Sequence, residues 1–219
     1  MGIRITIDGE GNILIKRKKK KKGDQTKPIV KPIQPTVPKP AIPEKSLIFL
    51  RKVIDQMEIR AESVFRPNER DIETAYALSG DHVIDMLHKF TSKEVIKEAT
   101  PMIIYTVTEN KIKHIIEERE KMPKIIIDVH THPNGIAEPS EQDCNTFKKV
   151  AKIFREKLPG VKIYFGIHAV SEEKFGKRRE PEVMGNRIRW RSITREHEAA
   201  FFDENCKPIK IAIIEGEIT

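Results

Sequence analysis

The chain has 219 residues, a length that fits one medium-sized domain with appended segments. Lys and Arg outnumber Asp and Glu by 41 to 33, and the excess lies in one run, KRKKKKK at residues 16–22. The basic character therefore belongs to a tail, which argues against a folded domain that itself binds nucleic acid. Cys144 and Cys206 are too few for a four-cysteine zinc site or a disulfide framework. No apolar run suggests a secretion signal or a membrane span, so a cytoplasmic protein is expected.

The N-terminal part of the chain predicts a hairpin followed by a linker. Isoleucine occupies every second position from Ile3 to Ile7, an Asp-Gly-Glu-Gly turn follows, and the alternation resumes from Ile13 to Ile15. This pattern predicts a β-hairpin within a basic tail at residues 1–22. Six prolines then punctuate residues 23–45, which favours an extended, semi-rigid spacer. A folded domain is expected over residues 46–219.

Helices and strands alternate within that domain. Apolar residues at helical spacing predict three helices, the first behind an N-cap at Ser46, over residues 46–57, 108–121 and 141–158. Short β-branched or alternating runs predict strands near residues 72–79, 82–87, 125–129, 161–170, 188–193 and 209–214. The interleaving of the two kinds of element indicates an α/β fold with a mixed sheet.

The most informative segment is DVHTHPNGIAEPSEQD, residues 128–143. His130 and His132 stand two apart at the end of a predicted strand, which places both imidazoles on one face with Cα atoms about 7 Å apart. Asp143 follows one turn into the next helix, where the crossing from strand to helix can return its carboxylate to the strand end. Three protein ligands and an open fourth position are typical of catalytic zinc.

Simpler interpretations exist for each part of this segment. Ser140 and Asp143 also form a capping box at the start of a helix, and a lone His-x-His pair is often solvated. The two elements occur together, with Pro133 directly after the second histidine, and this combination favours a metal site. Two other zinc motifs, the His-Glu-x-x-His helix and the deaminase signature, are absent from the sequence.

These residues resemble the JAMM signature of the MPN-domain (MPN+) zinc metalloproteases, in their microbial branch. The signature is His-x-His-Pro followed by Ser-x-x-Asp, here with seven residues between His132 and Ser140. The family adds a glutamate on an earlier strand, in a stretch resembling Glu-x-x-Gly-x-Leu-x-Gly. Residues Glu73 to Gly80 match that stretch at its glutamate, leucine and last glycine, and depart from it at Tyr76.

The resemblance implies a role for each matching residue. His130, His132 and Asp143 would hold a zinc ion (Zn²⁺). Glu73 would take a proton from the attacking water and return it to the departing amine, while Ser140 would donate a hydrogen bond to the oxyanion. Glu62 and Glu69 are the alternatives to Glu73 on the same side of the motif.

The resemblance also implies a fold and a substrate class. The fold would be the MPN, cytidine-deaminase-like arrangement, a curved mixed β-sheet flanked by helices. Family members hydrolyse isopeptide or peptide bonds at the C-terminus of ubiquitin-like modifier proteins, so a ubiquitin-like protein is the expected substrate.

Two functions of other classes stay open. One is a non-catalytic MPN scaffold, although such domains usually lack the ligands that this sequence carries. The other is a nucleic-acid-associated protein similar to the RadC branch, which the lysine run suits through polyanion contacts. Among other residues, Asp128 is a candidate hydrogen-bond partner for a ligand imidazole, His168 is expected in the core, and Cys144 is expected in helix packing.

Overall fold

The computed structural model describes residues 46–64, 73–100 and 104–216, together with the strand backbones of residues 3–7 and 13–17. The two N-terminal strands pair in antiparallel register with Ile5 opposite Ile15, so the hairpin predicted from the alternating isoleucines is present. The proline-rich linker predicted at residues 23–45 lies outside the described residues.

The described residues contain three helices and thirteen strands, numbered in chain order. The helices are α1 (Arg51–Glu62), α2 (Thr108–Arg119) and α3 (Glu141–Lys157). The strands are β1 (Ile3–Ile7), β2 (Ile13–Arg17), β3 (Leu47–Leu50), β4 (Ala75–Gly80), β5 (Ile84–Lys89), β6 (Ile96–Ala99), β7 (Ile104–Thr106), β8 (Ile125–His132), β9 (Lys162–Val170), β10 (Arg179–Met184), β11 (Arg187–Arg191), β12 (Glu196–Phe202) and β13 (Ile211–Ile214).

One mixed sheet organises the described part of the chain. Its nine strands follow the order β10-β11-β12-β9-β8-β4-β5-β3-β13, while β6 and β7 pair separately. β8 lies at the centre, parallel to β9 and antiparallel to β4. Val53 and Met57 of α1 pack on one face of the sheet, and Ile115 of α2 and Phe147 of α3 pack on the other. The predicted class, a mixed sheet flanked by helices, is confirmed.

The side chains of β8 alternate between these two faces. Ile127 and Val129 belong to the core cluster that contains α1, whereas Ile126 belongs to the cluster that contains α2 and α3. Because successive side chains of a strand point to opposite faces, His130 and His132 share the face of Ile126. The central strand therefore turns its two histidines toward α2 and α3.

The helix predicted behind Ser46 begins later than expected. Leu47–Leu50 form a strand that pairs in parallel with β13 and touches β5, and the helix starts only at Arg51. Leu47, Phe49 and Leu50 are buried. A short run of apolar residues fits a buried strand or a buried helix equally well by spacing, so the distant partner strands decide its conformation.

A chain of hydrogen bonds crosses the core from β4 to α1. The Tyr76 hydroxyl donates to Nδ1 of His168 over 2.9 Å. Nε2 of His168 donates to Nδ1 of His197 over 3.0 Å, and Nε2 of His197 donates to Glu62 over 3.0 Å. With an ionised Glu62 and neutral imidazoles, this is the direction that gives each ring nitrogen a partner.

His168, in the middle of these hydrogen bonds, is fully buried, as predicted for a core histidine. Burial holds the pKa of His168 well below its ordinary value, and the nearby His197 adds to the effect. As the pH falls below about 6.5, the unfolded chain takes up a proton at this residue before the folded protein does. The contribution of a neutral His168 to stability is therefore complete above that pH and is lost as the pH falls further.

We expect His168→Gln, which removes the titrating group and keeps a donor and an acceptor, to weaken the pH dependence of stability. The measurement is the free energy of unfolding in urea at pH 7.5 and pH 5.5 for both proteins. The wild type should lose more stability on acidification, by up to about 1.4 kcal/mol per pH unit for one proton. Equal losses in both proteins would show that His168 does not set this dependence.

Candidate metal centre

The end of β8 brings the two histidines of the predicted site together. Their Nε2 atoms lie 3.0 Å apart, so both rings are directed at one point. β8 runs through His132, three residues beyond the predicted end of the strand, and Pro133 follows it directly. Gly135 then turns the chain with a φ of 74°, a left-handed conformation that suits glycine.

Asp143 reaches the same point from the first turn of α3. Its Oδ1 lies 3.2 Å from Nε2 of His130, and its Oδ2 lies 3.7 Å from Nε2 of His132. The candidate ligand atoms of the three residues all lie within 4.8 Å of one another. The structure therefore brings together the three side chains that the sequence motif singled out.

The capping box at the start of α3 is also present. The backbone N–H of Asp143 donates to Oγ of Ser140 over 3.1 Å, and the backbone N–H of Ser140 donates to Oδ2 of Asp143 over 2.7 Å. The Ser140 hydroxyl donates to the same oxygen over 2.6 Å. Capping and metal ligation were alternative interpretations of this pair in the sequence, and the geometry is compatible with both at once.

The geometry of the three side chains fits a zinc ion. Ligand atoms about 2.0 to 2.2 Å from one ion in a tetrahedral arrangement lie roughly 3.3 to 3.6 Å from each other. The two Nε2 atoms lie 3.0 Å apart, and Nε2 of His130 and Nε2 of His132 lie 3.2 and 3.7 Å from the two different oxygens of the Asp143 carboxylate, distances close to that range. Two imidazoles and one carboxylate are also a donor set that zinc accepts.

The protonation states of the ligands suit metal binding as well. Burial and the neighbouring His130 lower the pKa of His132, which keeps its ring neutral, and its Nδ1–H donates to the carbonyl of Ile136 over 3.0 Å. That bond leaves Nε2 as the free lone pair. Burial opposes ionisation of Asp143, but hydrogen bonds from His130 and Ser140 hold its pKa well below the ordinary value.

Glu73 lies in the same cleft, two residues before β4 begins. Its backbone N–H donates to the carbonyl of Thr100 over 2.9 Å, and only 6% of the residue is exposed. Burial raises the pKa of Glu73 to about 7, with His130 acting against this rise and Asp143 adding to it. A carboxyl that titrates near neutral pH can both accept and return a proton. A dication at the three ligands would draw this pKa down.

One of the alternatives to Glu73 lies elsewhere in the fold. Glu62 ends α1 and accepts hydrogen bonds from His197, Ser192 and Thr194, whereas the cleft beside the ligands is lined by Glu73. Glu69, the second alternative, lies outside the described residues. Among the described candidates, Glu73 is the glutamate that shares a cavity with the two histidines.

The cavity beside the ligands has a volume of about 250 Å³. The predicted site residues line this cavity together with apolar side chains of α3 and β9. The lining also includes three residues that the sequence analysis missed, which are Ile104 and Thr106 of β7 and Lys111 of α2. Lys111 donates to Asp128 over 2.5 Å, so the partner found for Asp128 is an ammonium and not the ligand imidazole for which it was a candidate. The one signal for Lys111 in the sequence is its position in the apolar stripe of α2.

Comparison with known proteins identifies the family. Residues 55–180 match the family model described as prokaryotic homologs of the JAB domain. The match covers more than half of the chain and includes Glu73, Ser140 and the three candidate ligands. The chain belongs to this JAB/MPN family, as the motif predicted.

A crystal structure of a JAB1/MPN domain protein from Archaeoglobus fulgidus aligns with 78% of this chain and 100% of its own, at 14% sequence identity and a TM-score of 0.39. The curated proteins include no significant match. In the described part of the chain, no helix has the length and apolar character needed to cross a membrane.

A disulfide bond joins the residue after Asp143 to a distant turn. Cys144, in the first turn of α3, is bonded to Cys206, in the turn that follows β12. The expectation that Cys144 serves only in helix packing was wrong, because its partner is 62 positions away and the two residues meet only through the tertiary fold. The bond joins the start of α3 covalently to the turn after β12.

We expect Cys144→Ser combined with Cys206→Ser to lower the free energy of unfolding by about 2 to 4 kcal/mol, because the unfolded chain regains the freedom of a long loop. Urea unfolding of wild type and variant measures the difference. A reductant should destabilise the wild type and leave the double variant unchanged. Equal stability of the oxidised wild type and the variant would contradict a stabilising role for the bond.

Proposed function

We propose that this protein is a zinc metallopeptidase that hydrolyses peptide or isopeptide bonds at the C-terminus of ubiquitin-like modifier proteins. The observation that carries the proposal is the convergence of His130, His132 and Asp143 on one point of a cleft that also contains Glu73. Family membership supports the class of domain, and the complete residue set supports catalysis over a non-catalytic scaffold.

The residues of the cleft have distinct tasks in this proposal. His130, His132 and Asp143 would hold the zinc ion, which would polarise the scissile carbonyl and make water at the site more acidic. Glu73 takes the proton from the attacking water and returns it to the departing amine, a task that suits a carboxyl held in the cleft beside the three ligands. Apolar side chains, among them Phe147 and Phe165, line part of the cleft beside these polar groups.

Ser140 is assigned to the oxyanion of the tetrahedral intermediate. Its hydroxyl donates to Asp143 in this structure, so it rotates about the Cβ–Oγ bond to donate to the substrate instead. The backbone N–H of Ser140 keeps its bond to the same carboxylate during that rotation. Asp143 therefore stays fixed while the hydroxyl turns.

The modifier substrate is proposed from the family resemblance and from the form of the cleft. Residues of β7, β8, α2 and α3 line the cavity, which combines polar and apolar walls. An extended chain end with small residues suits such a cleft better than a folded surface does. The proposed partner is accordingly a ubiquitin-like protein that presents a flexible C-terminus.

We expect Glu73→Gln to abolish hydrolysis while zinc stays bound. Gln keeps the shape of the side chain and removes the base, and loss of general acid and base catalysis typically lowers the rate by about a hundredfold to ten-thousandfold. His132→Ala should instead lose both the metal and the activity. Turnover of a modifier conjugate and metal content by elemental analysis are measured on the same samples.

The matched control is Glu117→Gln, the same change at an exposed position of α2, which should behave as the wild type does. Near-normal turnover of Glu73→Gln would remove Glu73 from the mechanism and leave Glu69 as the candidate base. Loss of zinc from Glu73→Gln would instead show that Glu73 is a ligand.

The basic tail is proposed as a tether for polyanions such as nucleic acid. Its spacer, residues 23–45, can span about 3.1 Å per residue and so up to roughly 70 Å when extended. Deletion of residues 1–45 should reduce salt-dependent binding to DNA or RNA and leave cleavage of a small peptide conjugate nearly unchanged. Binding is measured by fluorescence anisotropy at two salt concentrations. A large loss of turnover on the small substrate would contradict the tether.

A further inference from the structure

The buried stripe of α2 contains a lysine. The buried residues of this helix are Thr108, Lys111, Ile112 and Ile115, which is the spacing of an apolar stripe that faces a core. Lys111 is only 3% exposed, and its ammonium donates to Oδ2 of Asp128 over 2.5 Å. An ion pair therefore occupies a place where the pattern of the helix calls for an aliphatic side chain.

Stability of the fold does not account for this pair. Moving two charges out of water costs several kcal/mol per ion, and apolar residues of similar volume often replace a buried pair with no loss of stability. Ile112 and Ile115, in the same helical stripe as Lys111, and Ile126, on the same strand face as Asp128, belong to an apolar core cluster. Apolar side chains could fill the same place, so the role of the two charges is expected in the cavity that they line.

The pair lies in the wall of the catalytic cleft. Lys111 and Asp128 line the same cavity as Glu73, His130 and Asp143. Asp128 precedes His130 by two residues on the same face of β8, a spacing of about 7 Å. A substrate would bind with its scissile bond at the candidate metal centre. A group one or two residues from that bond would then lie beside Lys111 and Asp128.

The pair offers both a hydrogen-bond donor, the Lys111 ammonium, and an acceptor, the Asp128 carboxylate, to a group in the cleft. An ammonium has three N–H groups and a carboxylate has two oxygens, and their mutual bond uses one of each. A ligand with a single charge would be repelled by one member of the pair. An amide is neutral and carries an acceptor and a donor a short distance apart, so it can bond to both members at once.

We infer that Lys111 and Asp128 form a subsite that binds an amide group of the substrate next to the scissile bond. The amide is either the carboxamide of a Gln or Asn side chain or a peptide group of the main chain. The inference rests on the proposed peptidase function, and it adds two specificity-determining residues that lie outside the metal-binding motif.

The test uses the full-length, zinc-loaded protein and a set of fluorogenic peptides. In one series, Gln is compared with Met at each of the two positions on either side of the scissile bond. In a second series, single peptide groups next to that bond are replaced by esters. The first series detects recognition of a side-chain amide, and the second detects recognition of a main-chain amide.

The variant is Lys111→Met combined with Asp128→Leu, which removes both charges and leaves neither alone. The control is Lys113→Met, on the exposed side of the same helix. We expect the wild type and the control to favour the amide at one position by about tenfold or more in kcat/KM. The double variant should have a ratio near one and normal zinc content. An equal ratio in wild type and double variant, or no preference in the wild type at any position, would overturn the subsite.

Binding separates this inference from the proposed function. Dissociation constants for the same peptides are measured in the Glu73→Gln background, which does not require turnover, and the same loss of preference is expected in the double variant. The zinc-loaded wild type could cleave no peptide and still bind the amide peptides more tightly, in a way that depends on Lys111 and Asp128. In that case the peptidase proposal fails and the subsite stands.

If the double variant does not fold, Asp128→Asn replaces it, because the amide nitrogen turns an acceptor in the cleft into a donor and should reduce the ratio.

Discussion

The pairing register of β8 with its two neighbours is the constraint on which the site depends. His130 lies opposite Ala75 of β4 and Ile167 of β9. A slip by one residue would turn both histidines toward α1 and bring their neighbours into the cleft. Thr131 helps to fix the register, because its backbone N–H and its hydroxyl oxygen both bond to the backbone of Thr74, at 2.9 and 2.8 Å. The same contacts hold the adjacent Glu73 beside the candidate metal centre.

The start of α3 shows how one set of hydrogen bonds can serve both the fold and the site. Ser140 caps the helix, and its bonds to Asp143 orient the carboxylate toward the two histidines. A negative charge in the first turn is also stabilised by the helix dipole. The helix therefore favours the ionised and correctly directed form of the ligand before any metal binds, which lowers the cost of assembling the centre.

The sequence predicted the elements whose signals are local. The central strand, α2 and α3 were placed to within a few residues, because their apolar periodicity is strong and their ends carry caps or prolines. The three candidate ligands could be singled out for a similar reason, since they are close in sequence and the family resemblance marks their spacing. Glu73 required the resemblance, because no local pattern distinguishes it from other glutamates.

Contacts between distant segments could not be predicted in the same way. β10 is a largely exposed edge strand rich in charge, so it lacks the alternation that marks a strand. The chemical roles of Lys111 and Cys144 depend on partners 17 and 62 positions away, and no spacing in the sequence encodes those pairs. Such partners are chosen by the packing of helices on the sheet, which is a property of the whole domain.

The bond between Cys144 and Cys206 also gives the chain a covalent topology that its secondary structure does not reveal. It closes a ring that contains most of α3 and the strands β9 to β12. A protease that cuts the exposed connection between β9 and β10, near Phe175, would therefore leave two fragments joined as one molecule until a reductant separates them. Under oxidising conditions, the end of the chain that carries Asp143 and the end that carries β13 would stay attached after such a cut, although the polypeptide between them is broken.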